Sequence, residues 1–220
     1  MGLSISPRPC SLCGIVRRRR RSQHMRPLDL VLAALSDTGL LLIQDKALPS
    51  VVGIITGESL RISWWGHPQG RLIFSVLSEL AEHPDVLLTK LLYRKDTFVH
   101  RSLWPALLAV GSARAPWQVQ ELSGGAKRLL QRLGSGASPV RAAGAPVKEL
   151  EARLLATARE IHTESGRHEM VLESWRAWSQ RVCCSALHSV PRARKALEDA
   201  AVAVGAPLKA LPWPVAIGAA

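Results

Sequence analysis

The residues with the clearest capacity for chemistry are His162, Glu164 and His168, in the run Ile161-His-Thr-Glu-Ser-Gly-Arg-His168. Two imidazoles and a carboxylate are zinc-ligand types, and a zinc site needs at least three of them converging on one point. The surrounding residues alternate with period two, and Ser165-Gly166 reads as a two-residue hairpin turn. That register sets Glu164 opposite Arg167 as a favourable cross-strand charge pair, and Ile161 opposite Met170. Ile161, Met170 and Leu172 then share a buried face. His168 falls on the opposite face from His162 and Glu164, so the expectation is a solvated hairpin with no metal.

The other constellations are weaker. Cys10-x-x-Cys13 has no second pair to complete a zinc site. Cys183 and Cys184 are adjacent, and four Cys in 220 residues make no disulfide framework. A reducing cytoplasm is the expected setting. Ser123-Gly-Gly-Ala-Lys127 resembles a fragment of a phosphate loop but lacks its spacing and follows no strand. His67, His83 and His100 flank turns or strand ends, with no Asp or Cys arranged beside them, and read as polar loop residues. No catalytic set emerges and no cofactor is expected, which points away from an enzyme.

The elements that would position these residues follow from hydrophobic periodicity. Pro27 opens a helix to about Ser36, with Leu28, Val31, Leu32 and Leu35 on one face. Leu40–Gln44 and Val51–Thr56 are apolar, β-branched-rich runs, and Leu60–Trp65 alternates like a strand. Gln69–Glu82 is an amphipathic helix built on Leu72, Ile73, Val76, Leu77 and Leu80. Val86–Leu92 and Thr97–His100 flank a hairpin turn, and Leu103–Val110 forms a helix. Gly111–Trp117 reads as a linker.

Beyond it, Ser123 caps a helix to about Leu133 with Leu122, Ala126, Leu129, Leu130 and Leu133 as its buried stripe. Pro139-Val140-Arg141 is extended. Ala145-Pro146 starts a second helix, with Val147, Leu150, Leu154 and Ala158 inward and Lys148, Glu149, Ala152, Arg153 and Arg159 outward. The hairpin follows. Helix, strand, helix and hairpin over Glu121–Trp175 are the outline of a winged helix, in which the second helix reads the major groove. Trp175–Leu187 and Pro191–Gly205 read as two further helices, and Trp213 packs onto the body.

The fold class expected is α+β. Residues 1–24 are a basic tail or an over-extended start preceding Met25, or alternatively a basic arm for nucleic acid. Residues 25–112 make a small α+β unit, 118–178 a winged-helix-like unit, and 179–220 C-terminal helices and tail. The seven Trp, against two Phe and one Tyr, read as core filler.

Net charge is +12, which favours an anionic partner. Six of those charges, Arg8 and Arg17 to Arg21, lie in the first 24 residues. Between Glu121 and Arg181 there are ten Arg and Lys against seven acids, a thin footprint for a duplex reader. The candidate nucleic-acid contacts are Arg141, Lys148, Arg153, Arg159 and Arg167, all to phosphates, with double-stranded DNA as the partner. Glu149 and Glu151 on the same helix would repel phosphate. Two other readings stand beside it. One is a DNA-acting enzyme with a site between the halves near Trp64, Trp65 and His67. The other is a protein-interaction module or homo-oligomer using an exposed Trp patch. No membrane partner is expected.

Ser63-Trp-Trp-Gly-His-Pro68, Thr97-Phe-Val-His-Arg-Ser-Leu-Trp-Pro105 and Ile161-His-Thr-Glu-Ser-Gly166 resemble segments of an uncharacterised bacterial protein family across most of 27–178. That resemblance implies no activity. The helix–helix–hairpin half is loosely similar to bacterial winged-helix proteins, including the AlkZ-type DNA glycosylases. Those enzymes use a Gln-x-Gln or Gln-x-Asp element, whereas Gln44-Asp45 is contiguous here.

Overall fold

A computed structural model describes residues 25–135, 139–162 and 168–214. The basic tail with Cys10 and Cys13 lies outside the described residues, as do the Ser165-Gly166 turn, Glu164 and Arg167. The architecture is α+β with two small antiparallel sheets.

Helix α1 (Pro27–Thr38) starts on proline, which sits without cost in a first helical turn. It ends where Gly39, at φ 77°, donates its N–H to the Leu35 carbonyl. That left-handed cap favours glycine, as the Asp37-Thr-Gly sequence indicates. Strand β1 (Leu40–Leu42) follows and pairs with β3 (Asp96–His100), which also pairs with β2 (Val86–Lys90). The sheet is buried on both faces. Leu41, Val86 and Phe98 meet Val31 and Leu35 of α1, together with residues of α2 (Val51–Thr56) and α3 (Gly70–Ala81). Leu40, Leu42, Leu87 and Val99 point the other way, onto α4 (Trp104–Ser112) and α9 (Val190–Ala203). Alternation along each strand thus feeds two helical layers.

The β-branched run Val51–Thr56 is helical because Ser50 accepts the Gly53 N–H at one end and Gly57 closes the other in the left-handed region. Leu60–Trp65, by contrast, is not a strand. The Gln44 side-chain amide donates to the carbonyls of Leu60 (3.2 Å) and Ile62 (2.6 Å), and Trp64–Gly66 coil into a 3-10 turn. Acceptors that a strand would offer to a neighbour are used by one glutamine.

In the second half α6 (Gly124–Ser135) packs against α7 (Ala145–Ala152) over Leu122, Ala126, Leu129, Leu133, Val147 and Leu150. Ser123 caps α6 by accepting from the Ala126 N–H. Strand β4 (Val140–Arg141) lies at the edge of a second sheet in the order β4-β6-β5, with β5 (Thr157–His162) and β6 (His168–Glu173) forming the hairpin.

Three expectations change here. The second helix stops at Ala152 rather than continuing through Ala158, so Arg159 is a strand residue. Leu154 turns left-handed, at φ 51°. Its carbonyl accepts from the Trp175 indole N–H at 2.7 Å, and the Arg153 carbonyl accepts from Gln118 at 3.2 Å. Side chains therefore take the carbonyls that a longer helix would bond. Second, the hairpin register is shifted by one residue. Glu160 faces Met170, Ile161 faces Glu169 and His162 faces His168. The register is set at the base of the hairpin, where Ala158 opposite Leu172 feeds the core, while Met170 is 41% exposed. His162 and His168 are thus direct partners rather than residues on opposite faces. Third, Trp175–Leu187 is helical only as far as Arg181, in α8 (Trp175–Arg181).

The stretch 111–117 read as a linker is mostly exposed, from Ser112 to Arg114 and at Pro116, but it is not free of structure. Gly111 is buried in α4, and the short α5 (Pro116–Val119) follows. Trp104 and Trp175 both pack edge-on against Trp178, with centroids 5.2 and 5.4 Å away. The Trp213 indole N–H donates to Glu198 at 2.9 Å. Five tryptophans are buried, Trp117 is partly so, and Trp65 is exposed. Among the described residues no helix is long and apolar enough to cross a membrane.

Gly111 is fixed by close approach. A Cβ there would lie 2.3 Å from Trp175 Nε1 and 2.4 Å from Cε2. Gly111→Ala should lower stability by about 1–3 kcal/mol, the usual cost of overpacking a close-fitted core. Urea denaturation reads this directly, and an unchanged midpoint would contradict the packing described.

Candidate nucleic-acid interface

The five candidate contacts do not form one free cationic face. Lys148 is exposed on α7 and makes no ion pair among the described residues. Arg153, expected to point outward, turns inward instead. Its Nη1 donates to the carbonyls of Trp117 (2.9 Å) and Gln120 (2.8 Å), tying the end of α7 to the segment after α4. Arg141, on edge strand β4, stands 2.9 Å from a Glu169 carboxylate oxygen, at an angle that does not make a hydrogen bond. Arg159 lies 3.6 Å from Glu173. Arg167 lies outside the described residues.

Glu173 organises one side of the hairpin. It is 3% exposed at the end of β6, and Arg181 of α8 grips it with two donors at 3.0 and 2.6 Å. A buried carboxylate needs such partners, because desolvation costs more than one ordinary hydrogen bond returns. Arg159 and Arg181 therefore balance Glu173 before they can serve any ligand.

The two glutamates of α7 have separate roles. Glu149 accepts the Ser123 backbone N–H at 2.9 Å, and Ser123, through its side chain first and its backbone N–H second, holds the Glu149 carboxyl below the usual range. It links the start of α6 to α7. Glu151 is half-buried, and desolvation pushes its carboxyl up. Asp96 adds to that rise, while Lys90 and Lys148 oppose it.

Helix α6, expected from its buried stripe, carries cations outside the five candidate contacts. From Gly124 to Ser135 it carries Lys127, Arg128 and Arg132 and no acid. All three are exposed, and Lys127 and Arg128 make no ion pair among the described residues. The signal was present in Gly-Gly-Ala-Lys-Arg-Leu-Leu-Gln-Arg, whose polar positions are cationic or neutral throughout. α6 and α7 are also joined through β4, with nine residues between Ser135 and Ala145. The connecting turn of a compact helix-turn-helix has three or four.

The polar residues near Trp64 serve local structure. Trp64 packs with Val52 and Ile73 in a cluster drawn wholly from the N-terminal half. His67 Nδ1 accepts from the Gln69 N–H at 3.2 Å. Asp45 receives the N–H groups of Ala47 and Leu48 and the Lys95 ammonium at 2.8 Å. Although burial opposes it, these bonds hold the Asp45 carboxyl below its ordinary value. Among the described residues no three His, Cys, Asp or Glu gather as a metal site.

Glu151 gives a pH test. A carboxyl whose folded pKa is raised favours folding fully below the unfolded value, about 4.3 for glutamate. That contribution is lost as pH rises through the folded value. Glu151→Gln should therefore be more stable than the parent at neutral pH and equal to it in acid. Thermal melts at the two pH values check this, and a destabilised variant at neutral pH would overturn it.

Compared with protein-family models, with curated proteins and with solved structures, the chain matches none.

Proposed function

We propose that the C-terminal half is a non-enzymatic, winged-helix-like module that binds double-stranded DNA by its phosphates and acts as a regulator in a bacterial cytoplasm. The observation that carries this reading is the acid-free outer face of α6, where Lys127 and Arg128 stand exposed with no ion pair among the described residues. Phosphate neutralisation requires cations that no carboxylate already holds. Lys148 on the packed neighbour α7 adds a third such charge. Arg141 and Arg159 are already engaged by Glu169 and Glu173 and so add little, while Arg167, which lies between β5 and β6 in the sequence, stays in the proposed set. Arg153 has no part, because its guanidinium holds two carbonyls. Contacts of this kind position a duplex without reading its sequence.

The test is fluorescence anisotropy of a labelled duplex over a salt series. Affinity should fall steeply between about 50 and 200 mM salt as counterions are released. Lys127→Glu with Arg128→Glu should flatten the slope of log K against log salt by about two. No binding at the lowest salt would end this reading.

A second reading rests on a different surface. Trp65 is 67% exposed, stacked at 4.1 Å on the buried Trp64, and Phe74 (54% exposed) lies 5.8 Å away. Ile62 nearby in sequence is 75% exposed. Exposed large apolar groups gathered in one place mark an interaction surface. A second copy of the chain is its first candidate partner. Trp65→Ser with Phe74→Ser should shift the protein to monomer in light scattering and leave duplex affinity unchanged. An identical mass for parent and variant would remove this reading.

A further inference from the structure

A cavity of about 540 Å³ opens between the end of α4, the second half of α6 and the start of α8. That volume lies in the range of small-molecule sites, about 300–1,000 Å³. Its apolar wall is Leu130, Leu133, Leu155 and Trp175. The Trp175 indole N–H is already bonded to the Leu154 carbonyl, so its ring offers apolar surface only. Arg114, Arg176 and Gln180 add polar groups, with the hydroxyls of Ser112 and Ser174. Among the described residues no carboxylate lines the cavity.

The two arginines are the unusual part. Neither makes an ion pair among the described residues, although Arg181, on the same helix as Arg176, grips Glu173. Arg114 is held left-handed, at φ 49°, a conformation that costs a non-glycine residue energy and that recurs at ligand sites. A Cβ on Gly134 would lie 3.7 Å from Arg114 Nη2, so the guanidinium rests against the last turn of α6. Two guanidinium groups beside an apolar hollow match a molecule with an apolar body and one anionic head.

We propose that this cavity binds a small amphiphilic anion, an apolar ring or chain bearing a carboxylate, sulfonate or phosphate. The body lies against Leu130, Leu133 and Trp175, and the head is held by Arg114 and Arg176. The site involves neither Lys127, Arg128 nor Lys148 and does not depend on DNA binding.

The probe is 8-anilinonaphthalene-1-sulfonate, which joins an aromatic body to one sulfonate, titrated by fluorescence and calorimetry. The expected result is one saturable site per chain. Arg114→Ala with Arg176→Ala should weaken it about tenfold or more, the scale of lost charge-assisted hydrogen bonds. Both side chains are exposed, so the fold should persist, and circular dichroism verifies that. Ala177→Trp, which fills the cavity from α8, should abolish the site. N-phenyl-1-naphthylamine has the same body without the sulfonate and should bind about tenfold more weakly. Trp65→Ser with Phe74→Ser should have no effect. Equal affinity for the two probes, binding unmoved by the arginine pair or by Ala177→Trp, or loss only on removing Trp65 and Phe74 would each overturn the proposal.

Discussion

The hydrogen bond from the Trp175 indole to the Leu154 carbonyl, made over the bare backbone of Gly111, is the constraint on which the two halves depend. It joins the turn after α7, the start of α8 and the end of α4 at one buried point. Gln118 completes the joint. Fully buried, it donates to the Arg153 carbonyl and accepts the Ala115 N–H. One such bond adds only about 1 kcal/mol net, but a buried carbonyl left without a partner costs more. The joint is therefore a matter of completeness. Glycine, glutamine and tryptophan are each held there by what the other two leave room for.

The sequence conveyed some of this and hid the rest for identifiable reasons. The stripes Val31–Leu35, Ile73–Val76–Leu80 and Ala126–Leu129–Leu133 recur every three or four residues, so periodicity revealed them even though Leu30, Leu72 and Phe74 stand on the outer faces of α1 and α3. The pair β2 and β3 was legible because turn residues separate two apolar runs. The end of α7 was not. Leu154 and Ala158 continue the helical spacing, yet each is covered for a non-helical reason: Leu154 is buried with Trp175, and Ala158 is partly buried opposite Leu172. The supposed strand at Leu60–Trp65 failed because Gln44, sixteen residues earlier than Leu60, satisfies its carbonyls. Pairing at such a distance leaves no local trace.

The same distinction separates charge type from charge availability. Ten cations between Glu121 and Arg181 were countable from the chain, but their partners were not. Arg153 and Arg181 hold the second half together, and Glu149 and Glu173 are anchors within it rather than repellent surface. The charges left over shift attention from α7 to α6 and to the two arginines beside α8.

Helix α9 has a consequence for how the molecule comes into being. Ala193, Leu197 and Ala201 cover the sheet face formed by Leu40, Leu42 and Val99 and complete a core begun about 150 residues earlier. The first sheet must emerge with one side bare and wait for its last layer. Contacts of that sequence separation slow folding and leave apolar surface open meanwhile. The nascent chain is thus exposed to aggregation and to chaperones on the face that the finished protein hides most completely.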